Sequence, residues 1–337
     1  MSLFFKSPID VEISFDGEES RKHVEVPVRQ GPNAKTLKDD LPLYEDGESV
    51  SGIVTIRVKE GKRMEHLGIK VAVIGCIDMV KTSNSGKTTG TNQTFDDVKK
   101  KTVDQFLCLS DDLCPAGDIQ YTQNYPFAFK DLSKRYESYR GKNVDVTYFV
   151  KVTVMRKSTD ITKKKKFWVY LYNDLAVTKD ITSSQSEEDN VANSNSKSKS
   201  VEKPFRHDIG IENCLHLEFE FSKTQYSLKE VIVGRIYFLL TRLKIKHMEL
   251  SLMTRETSGL KPSNFLLDTT AIRFELMDGS PVRGETIPIR LFLSGYDLIP
   301  DMTSNYFNVK NYLSLVIVDE DNRRYFKQTP IVLYRTR

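Results

Sequence analysis

The sequence predicts an all-β protein of two tandem β-sandwich lobes, and three observations carry that prediction. Apolar and polar residues alternate along most of the 337-residue chain, no stretch sustains an amphipathic helix of three turns, and a strand-like segment in the first half has a twin in the second. The twins are residues 44–56, YEDGESVSGIVTI, and 226–240, YSLKEVIVGRIYFLL. Each has a tyrosine, a glutamate four residues on, an aliphatic six on, a glycine eight on and an aliphatic ten on. That pairs Tyr44 with Tyr226, Glu48 with Glu230, Val50 with Ile232, Gly52 with Gly234 and Val54 with Ile236.

In chain order, Ile9, Val11, Ile13 and Phe15 alternate with Asp10, Glu12 and Ser14 and stop at the Asp16-Gly17 turn. Ile69, Val71 and Val73 alternate up to Gly75; Phe127 and Phe129 follow, then Val146, Tyr148, Val150, Val152 and Val154, and an aromatic run at 167–172 closes the half. Residues 97–109 are the best helix candidate, and their β-branched and cysteine content makes it a poor one. The second half runs through Leu215, Leu217, Phe219 and Phe221, the twin segment, then Met248, Leu250 and Leu252. Ile272, Phe274 and Leu276 lead into the Asp278-Gly279 turn, followed by Ile289, Leu291 and Leu293 and by Leu313, Leu315 and Ile317. Alternation gives each sheet one buried and one wet face, and many short strands without intervening helices favour a sandwich.

The repeat extends further. Ile69, Val71 and Val73 align with Met248, Leu250 and Leu252, Pro126 aligns with Pro288, and Tyr148, Val150, Val152 and Val154 align with Tyr312, Ser314, Val316 and Val318. The offsets drop from 182 and 179 to 162 and 164 after Val73, where residues 81–101 form a polar insertion. Residues 183–203, SSQSEEDNVANSNSKSKSVEK, hold almost nothing apolar and cannot repay the entropy of ordering, so they read as a disordered linker or long loop. The expected domains are 1–178 and 205–337, with 179–204 between them.

Composition excludes several functions. Fifty Lys and Arg against 46 Asp and Glu give a net charge of +4, too balanced for a nucleic-acid binder. No run of about 18 apolar residues could span a membrane, and MSLFFKSPID is broken by Lys6 and Pro8 too early for a signal peptide. The four cysteines, Cys76, Cys108, Cys114 and Cys214, lack the C-x-x-C spacing and read as buried or partly buried thiols in a reducing compartment, the cytosol. Ser85-Gly86-Lys87-Thr88 resembles the end of a P-loop, but Lys81 stands where the first glycine is needed. The five histidines are too dispersed for a metal motif, and no G-x-S-x-G is present. The lysine runs at 163–166 and 99–101 read as protected strand edges, as a contact with anionic membrane or as an import signal.

Two places stand out as binding candidates. The segment 254–264, TRETSGLKPSN, is too long for a tight hairpin and reads either as a binding loop or as a plain connection. Leu276 and Met277, beside the Asp278-Gly279 turn, read either as core or as an exposed contact.

DGESVSGIV at 46–54, EGKRMEHLGIK at 60–70 and YESYRGKNVDVTYFVKVTVMR at 136–156 form one set of motifs. GIENCLHLEFEF at 210–221, the segment 226–250, ELMDGSPVRGETIPIRLFLSGYD at 275–297 and VDEDNRRYFKQ at 318–328 form the other. Together they resemble the vacuolar protein sorting family that forms the arrestin-like small subunit of retromer. The resemblance implies a bilobal arrestin-like fold, no enzymatic activity, and no cofactor or metal. It implies binding to the α-solenoid subunit of retromer and, through it, to the phosphoesterase-like third subunit. Sorting nexins and the cytoplasmic tails of transmembrane cargo are the other implied partners, on endosomal membranes from the cytoplasmic side. Carried onto this chain, the solenoid contact falls on Thr254, Arg255, Glu256, Gly259, Leu260, Lys261, Pro262 and Ser263 and on the neighbouring turn Leu276, Met277, Asp278 and Gly279. An extended cargo tail or sorting nexin would meet the strand edge of Ile287, Ile289, Leu291, Phe292 and Leu293. An arrestin-domain adaptor that recruits ubiquitin ligases shares the fold, but none of the 12 prolines here lies in a P-P-x-Y motif. A β-sandwich hydrolase or lectin would need clustered carboxylates, for which no pattern appears.

Overall fold

The computed structural model describes residues 8–28, 38–59, 63–80, 100–173, 204–259 and 265–337. The P-loop-like segment lies outside them, as do the polar insertion except for its last two residues and the linker except for Pro204. The chain divides into two compact units, Met1–Leu171 and Tyr172–Arg337. Both are all-β, and the one helical element among the described residues is a 3-10 turn at Glu18–Ser20.

The first unit contains β1 (Ile9–Phe15), β2 (His23–Pro27), β3 (Lys38–Glu45), β4 (Val50–Val58), β5 (Met64–Val80), β6 (Lys100–Ile119), β7 (Gln123–Phe129), β8 (Tyr139–Arg140), β9 (Val144–Met155) and β10 (Ile161–Tyr170). One sheet runs β1-β4-β7 and the other β2-β3-β10-β9-β5-β6, with β8 on β9. The weak helix candidate at 97–109 is strand from Lys100 onward, because β6 pairs along β5 from Val80 to Met64 and that ladder overrides local preference. Among the described residues, 163–166 lie on the part of β10 that pairs with β9 alone, since β3 joins only at 168–170. Their lysines guard an open edge. All four cysteines are free; Cys76 is buried, Cys114 and Cys214 are half-buried, and Cys108 is exposed on β6, contrary to the expectation of burial.

The second unit contains β11 (Phe205–Ile211), β12 (Leu215–Phe221), β13 (Gln225–Ser227), β14 (Val231–Thr241), β15 (Ile245–Ser258), β16 (Phe265–Asp278), β17 (Thr286–Phe292), β18 (Met302–Thr303), β19 (Phe307–Asp319) and β20 (Arg324–Tyr334). Its sheets run β11-β12-β14-β17 and β13-β20-β19-β15-β16, with β18 on β19. Their inner faces meet in one core that includes Phe219, Ile236, Leu250, Ile289 and Leu315. Stripped of β2 and β11, the two units have the same topology, strand for strand.

The ladders test the repeat residue by residue. Ile53 pairs with Pro126 and Arg235 with Pro288, so the proline match is in register. Val73 pairs with Val150 and its match Leu252 with Leu313, which sets the offset between β9 and β19 at 313 − 150 = 163. The expected match of Tyr148 with Tyr312 is therefore one residue out; Tyr148 matches Asn311. A one-residue slip exchanges faces. It happened because Val316 and Val318 on the other face of β19 imitate the core valines of β9.

The shared glycine has a packing reason. A Cβ on Gly52 would lie well inside van der Waals contact with the Ser14 carbonyl, and one on Gly234 inside contact with the Glu220 carbonyl. The shared glutamate closes the turn before it: Glu45 N–H donates to Glu48 Oε2 at 2.9 Å, and Ser227 N–H to Glu230 Oε2 at 2.7 Å. Each glutamate also holds a cation that lies over the shared, buried tyrosine. Arg21 is 2.6 Å from Glu48 and 3.9 Å above the Tyr44 ring, and Lys223 is 2.8 Å from Glu230 and 5.4 Å above Tyr226.

In the first unit Lys134, only 2% exposed, donates its ammonium protons to the carbonyls of Glu45 (2.6 Å), Glu48 (2.7 Å) and Leu132 (3.2 Å). Burial pushes its pKa down to about 8 against the opposing pull of Glu48 and Asp46.

Two predictions follow from this packing. Gly234→Ala forces β12 and β14 apart and lowers stability by about 1–3 kcal/mol or more, read by urea unfolding; an unchanged midpoint would contradict the tight approach. Lys134→Met removes three charge-assisted hydrogen bonds, leaving Glu45 O and Leu132 O only the N–H groups of Glu48 and Gly47, at a cost of about 2–4 kcal/mol. Because the folded pKa lies below that of an unfolded lysine, Lys134 sheds its proton first in the folded state. The stability gap between wild type and variant therefore widens as pH rises from about 8 toward 10.

Candidate partner-binding surface

The first predicted site belongs to an antiparallel hairpin, β15–β16, at the edge of the larger sheet of the second unit. Thr254, Arg255 and Glu256 are not in a loop: they pair with Thr269, Asp268 and Leu267 on one side and with Asn311, Lys310 and Val309 on the other. Two-sided pairing makes strand of a segment whose polar composition suggests a loop. The connection begins at Gly259, with φ +109° and its N–H donating to Tyr306 O at 3.1 Å. Leu260, Lys261, Pro262 and Ser263 lie outside the described residues.

Within the strand the three predicted residues part company. Thr254 and Glu256 are buried, and Thr254 Oγ1 donates to Asn311 Oδ1 at 2.8 Å. Arg255 takes the opposite face. Its guanidinium donates to both oxygens of Asp268 at 2.6 and 2.7 Å and to Gln328 Oε1 at 3.0 Å, and it lies 4.8 Å above the Tyr312 ring. The hydrogen bonds from Arg255 hold the Asp268 carboxyl below the usual carboxylate range, and those to Asp268 push the Arg255 pKa up. Arg255 thus ties β15 to β16, β19 and β20.

Leu276, Met277, Asp278 and Gly279 sit at the far end of the hairpin, where Met277 pairs with Met248 and Asp278 with His247. From Met248 to Ser258 is ten residues, a separation of about 33 Å. The two patches are not neighbours, contrary to expectation. Leu276 and Met277 are half-buried and pack against the core, and Leu276 is the extra residue of a bulge between Met248 and Glu249. Gly279 has φ +85° and donates its N–H to Lys246 O at 2.7 Å, while Ser280 Oγ bonds both the N–H and the carbonyl of Ile245 (2.8 and 2.9 Å).

The second predicted site is β17, which among the described residues pairs with β14 alone and is an edge strand. Ile289, Leu291 and Leu293 point into the core and are buried, Ile287 is half-buried against it, and only Phe292 stands out, 56% exposed. Leu293 N–H donates to Glu230 O, so the odd residues of β17 bond inward and the even ones face the open edge. Pro288 is one of those even residues and has no N–H to offer. Its counterpart Pro126 stands on β7, the matching edge of the first unit.

Residues that the sequence did not single out complete the surface. Phe265 and Leu266, at the start of the edge strand β16, are 67% and 61% exposed, and Phe274 further along is 45% exposed. The available signal was the apolar run FLL immediately after a polar loop, where an alternating strand would open with a polar outer residue. Among the described residues no group of three or more His, Cys, Asp or Glu is placed to hold a metal ion, and no helix is long and apolar enough to cross a membrane.

The family model described as vacuolar protein sorting-associated protein 26, Vps26, matches residues 5–322. The chain is 60% identical to carboxypeptidase Y-deficient protein 8 of Saccharomyces cerevisiae, with all of both chains covered. It is 41% identical to vacuolar protein sorting-associated protein 26 of Schizosaccharomyces pombe, over 100% of this chain and 99% of that one. To human vacuolar protein sorting-associated protein 26B it is 39% identical, over 99% of this chain and 88% of the relative.

Arg255→Ala leaves Asp268 without its cation and uncovers Tyr312. Solvent reaches the pair, with side chains 24% and 28% exposed, which limits the loss to about 1–2 kcal/mol. Arg255→Lys gives up the bidentate geometry and restores only part of it; full restoration in thermal unfolding would show that charge alone matters.

Proposed function

This chain belongs to the Vps26 family, and on that premise we propose that it is a non-enzymatic subunit of the retromer coat that joins the α-solenoid subunit to transmembrane cargo. The family name places it in vacuolar protein sorting. The observation that carries the finer reading is the exposed apolar start of β16, Phe265 and Leu266, on a 14-residue edge strand whose outer side has no partner among the described residues. An α-solenoid offers a long, quasi-one-dimensional surface. Running beside β16, it can meet the hairpin tip, including Gly259 and the residues Leu260, Lys261, Pro262 and Ser263, and also the distant turn at Leu276, Met277, Asp278 and Gly279. In this reading Thr254, Arg255 and Glu256 position the hairpin and touch no partner. The phosphoesterase-like third subunit joins through the solenoid.

Cargo tails and a sorting nexin meet the edge of β17. There Ile289, Leu291 and Leu293 hold the strand against the core, and contact is left to the Phe292 ring and to the outward backbone of Arg290 and Phe292. Pro288 limits an added strand to the C-terminal half of this edge. The protein then works from the cytoplasmic side of endosomal membranes, as a peripheral component.

The test is co-purification with the solenoid subunit. Leu276→Asp with Met277→Asn, and separately Phe265→Asp with Leu266→Asp, should each abolish the complex while circular dichroism shows a folded chain. The second pair does not touch the core, so loss of binding there is free of a folding explanation. A folded variant that still co-purifies removes its end of β16 from the interface.

A further inference from the structure

The second unit has another open side, formed by strands that the partner surface above does not use. Among the described residues β11 pairs only with β12. β20 pairs with β19 along its length, but β13 joins its other edge only from Val332 onward. Between the two free stretches lies a cleft of about 430 Å³, floored by the core residues Leu315 and Ile317. Four consecutive residues of each strand line it, 208–211 and 324–327. Side chains alternate along a strand, so an unbroken run means that two backbone edges are exposed to the cleft.

The hydrogen-bond parity of β20 follows from its ends. Asp319 N–H donates to Arg323 O at 3.1 Å, and Val332 N–H donates outward to Thr224 O at 2.8 Å. Odd residues therefore bond to β19 and even ones face the cleft. Among the described residues the outward N–H and C=O groups of Arg324, Phe326 and Gln328 have no partner, and Pro330 ends the series. Tyr325 and Lys327 project on the core side, opposite Ile317 and Leu315, while Arg324 and Phe326 project on the other, where Phe326 is 70% exposed. Neither Arg324 nor Lys327 has a carboxylate partner among the described residues. Across the cleft Ile209 and Ile211 pack against the core. His207, on the same face of β11, has a buried Nε2 without a hydrogen-bond partner, and burial followed by Lys327 holds its pKa below the usual value.

We propose that this edge is a docking site for an extended acidic peptide segment that adds to β20 as a strand, with the pattern acid–apolar–apolar–acid. Register dictates the pattern. The outer acids stand opposite Arg324 and Lys327, one apolar residue stands opposite Tyr325 and enters the cleft beside Ile209 and Ile317, and the other covers Phe326. The pattern reads the same in both directions, so parallel and antiparallel addition are both served. The proposal does not rest on the coat assignment, since β11 is the opposite margin of its sheet from β17, and β19 and β15 separate β20 from β16.

The experiment titrates the full chain into fluorescein-labelled peptides with a Glu-Val-Phe-Asp or a Lys-Val-Phe-Lys core and follows anisotropy. Saturable binding of the acidic peptide is expected, with the lysine peptide weaker by about tenfold or more, the effect of turning two cross-strand attractions into repulsions. Arg324→Glu with Lys327→Glu should reverse the preference. Phe326→Pro removes an outward N–H and leaves the β19 ladder intact, so binding should fall in a folded variant. As a readout independent of any variant, hydrogen exchange on the wild type should show the Phe326 and Gln328 amides gaining protection when the acidic peptide binds. No saturable binding, a preference unmoved by the charge reversal, or protection confined to β16 or β17 would each overturn the proposal.

Discussion

Each unit is built around one close approach of two backbones, where the strand after the shared turn passes a neighbouring carbonyl with no room for a Cβ. Gly52 lies against Ser14 and Gly234 against Glu220. That approach fixes β4 on β1 and β14 on β12, and the turn leading into it is locked by Glu48 or Glu230. The same glutamate anchors the cation over Tyr44 or Tyr226, so backbone capping, ion pairing and ring packing meet within one turn. A tyrosine, a glutamate and a glycine at fixed spacing therefore recur because three coupled contacts need them together. Loss of any one leaves a buried partner unsatisfied or a strand displaced.

Elsewhere the two units keep the geometry and change the chemistry. Tyr148 Oη donates to Tyr136 O at 2.6 Å; its counterpart Asn311 donates through Nδ2 to Ile299 O at 3.0 Å. Ser138 and Asp301 occupy matching positions, and each binds one residue of the last strand at both N–H and C=O: Val169 in the first unit, Leu333 in the second. In both units the coil before β9 or β19 must be fastened to the sheet it crosses, because its buried backbone groups need partners. Phenol, amide, hydroxyl and carboxylate all satisfy that requirement, so nothing in residue type marks the equivalence. Burial raises the pKa of Asp301, offset by the hydrogen bonds from Asn311 and Leu333.

The edges divide fold from function. Prolines stand at outward-facing positions on β7, β17 and β20, where a missing N–H costs the sheet nothing and blocks unwanted pairing. Lysines guard the open part of β10. β16 has no proline; its bulges at Ala271 and Leu276 twist it, yet Phe265 and Leu266 remain bare. An edge left unguarded and apolar marks the place where a partner is expected, whereas the guarded edges of β17 and β20 leave only short windows of backbone.

The sequence by itself determined the fold class, the twofold repeat and the core, because alternation with period two records which face of each strand is buried. Ile69, Val71, Val73, Leu250, Leu252 and Leu315 could be assigned to the interior on that ground alone. It also offered residues 287–293 as a candidate strand edge, but did not show that Ile289, Leu291 and Leu293 spend their side chains on the core. Only the tertiary structure decided the register of β19 against β9, since valines on both faces make two registers equally apolar. Only it decided that Thr254, Arg255 and Glu256 are strand, since pairing with β16 and β19 is non-local and leaves no mark in a polar segment. The separation of the two predicted patches by the length of a hairpin was equally hidden. Distance along a folded strand depends on which residues pair, and pairing is a property of two segments, never of one.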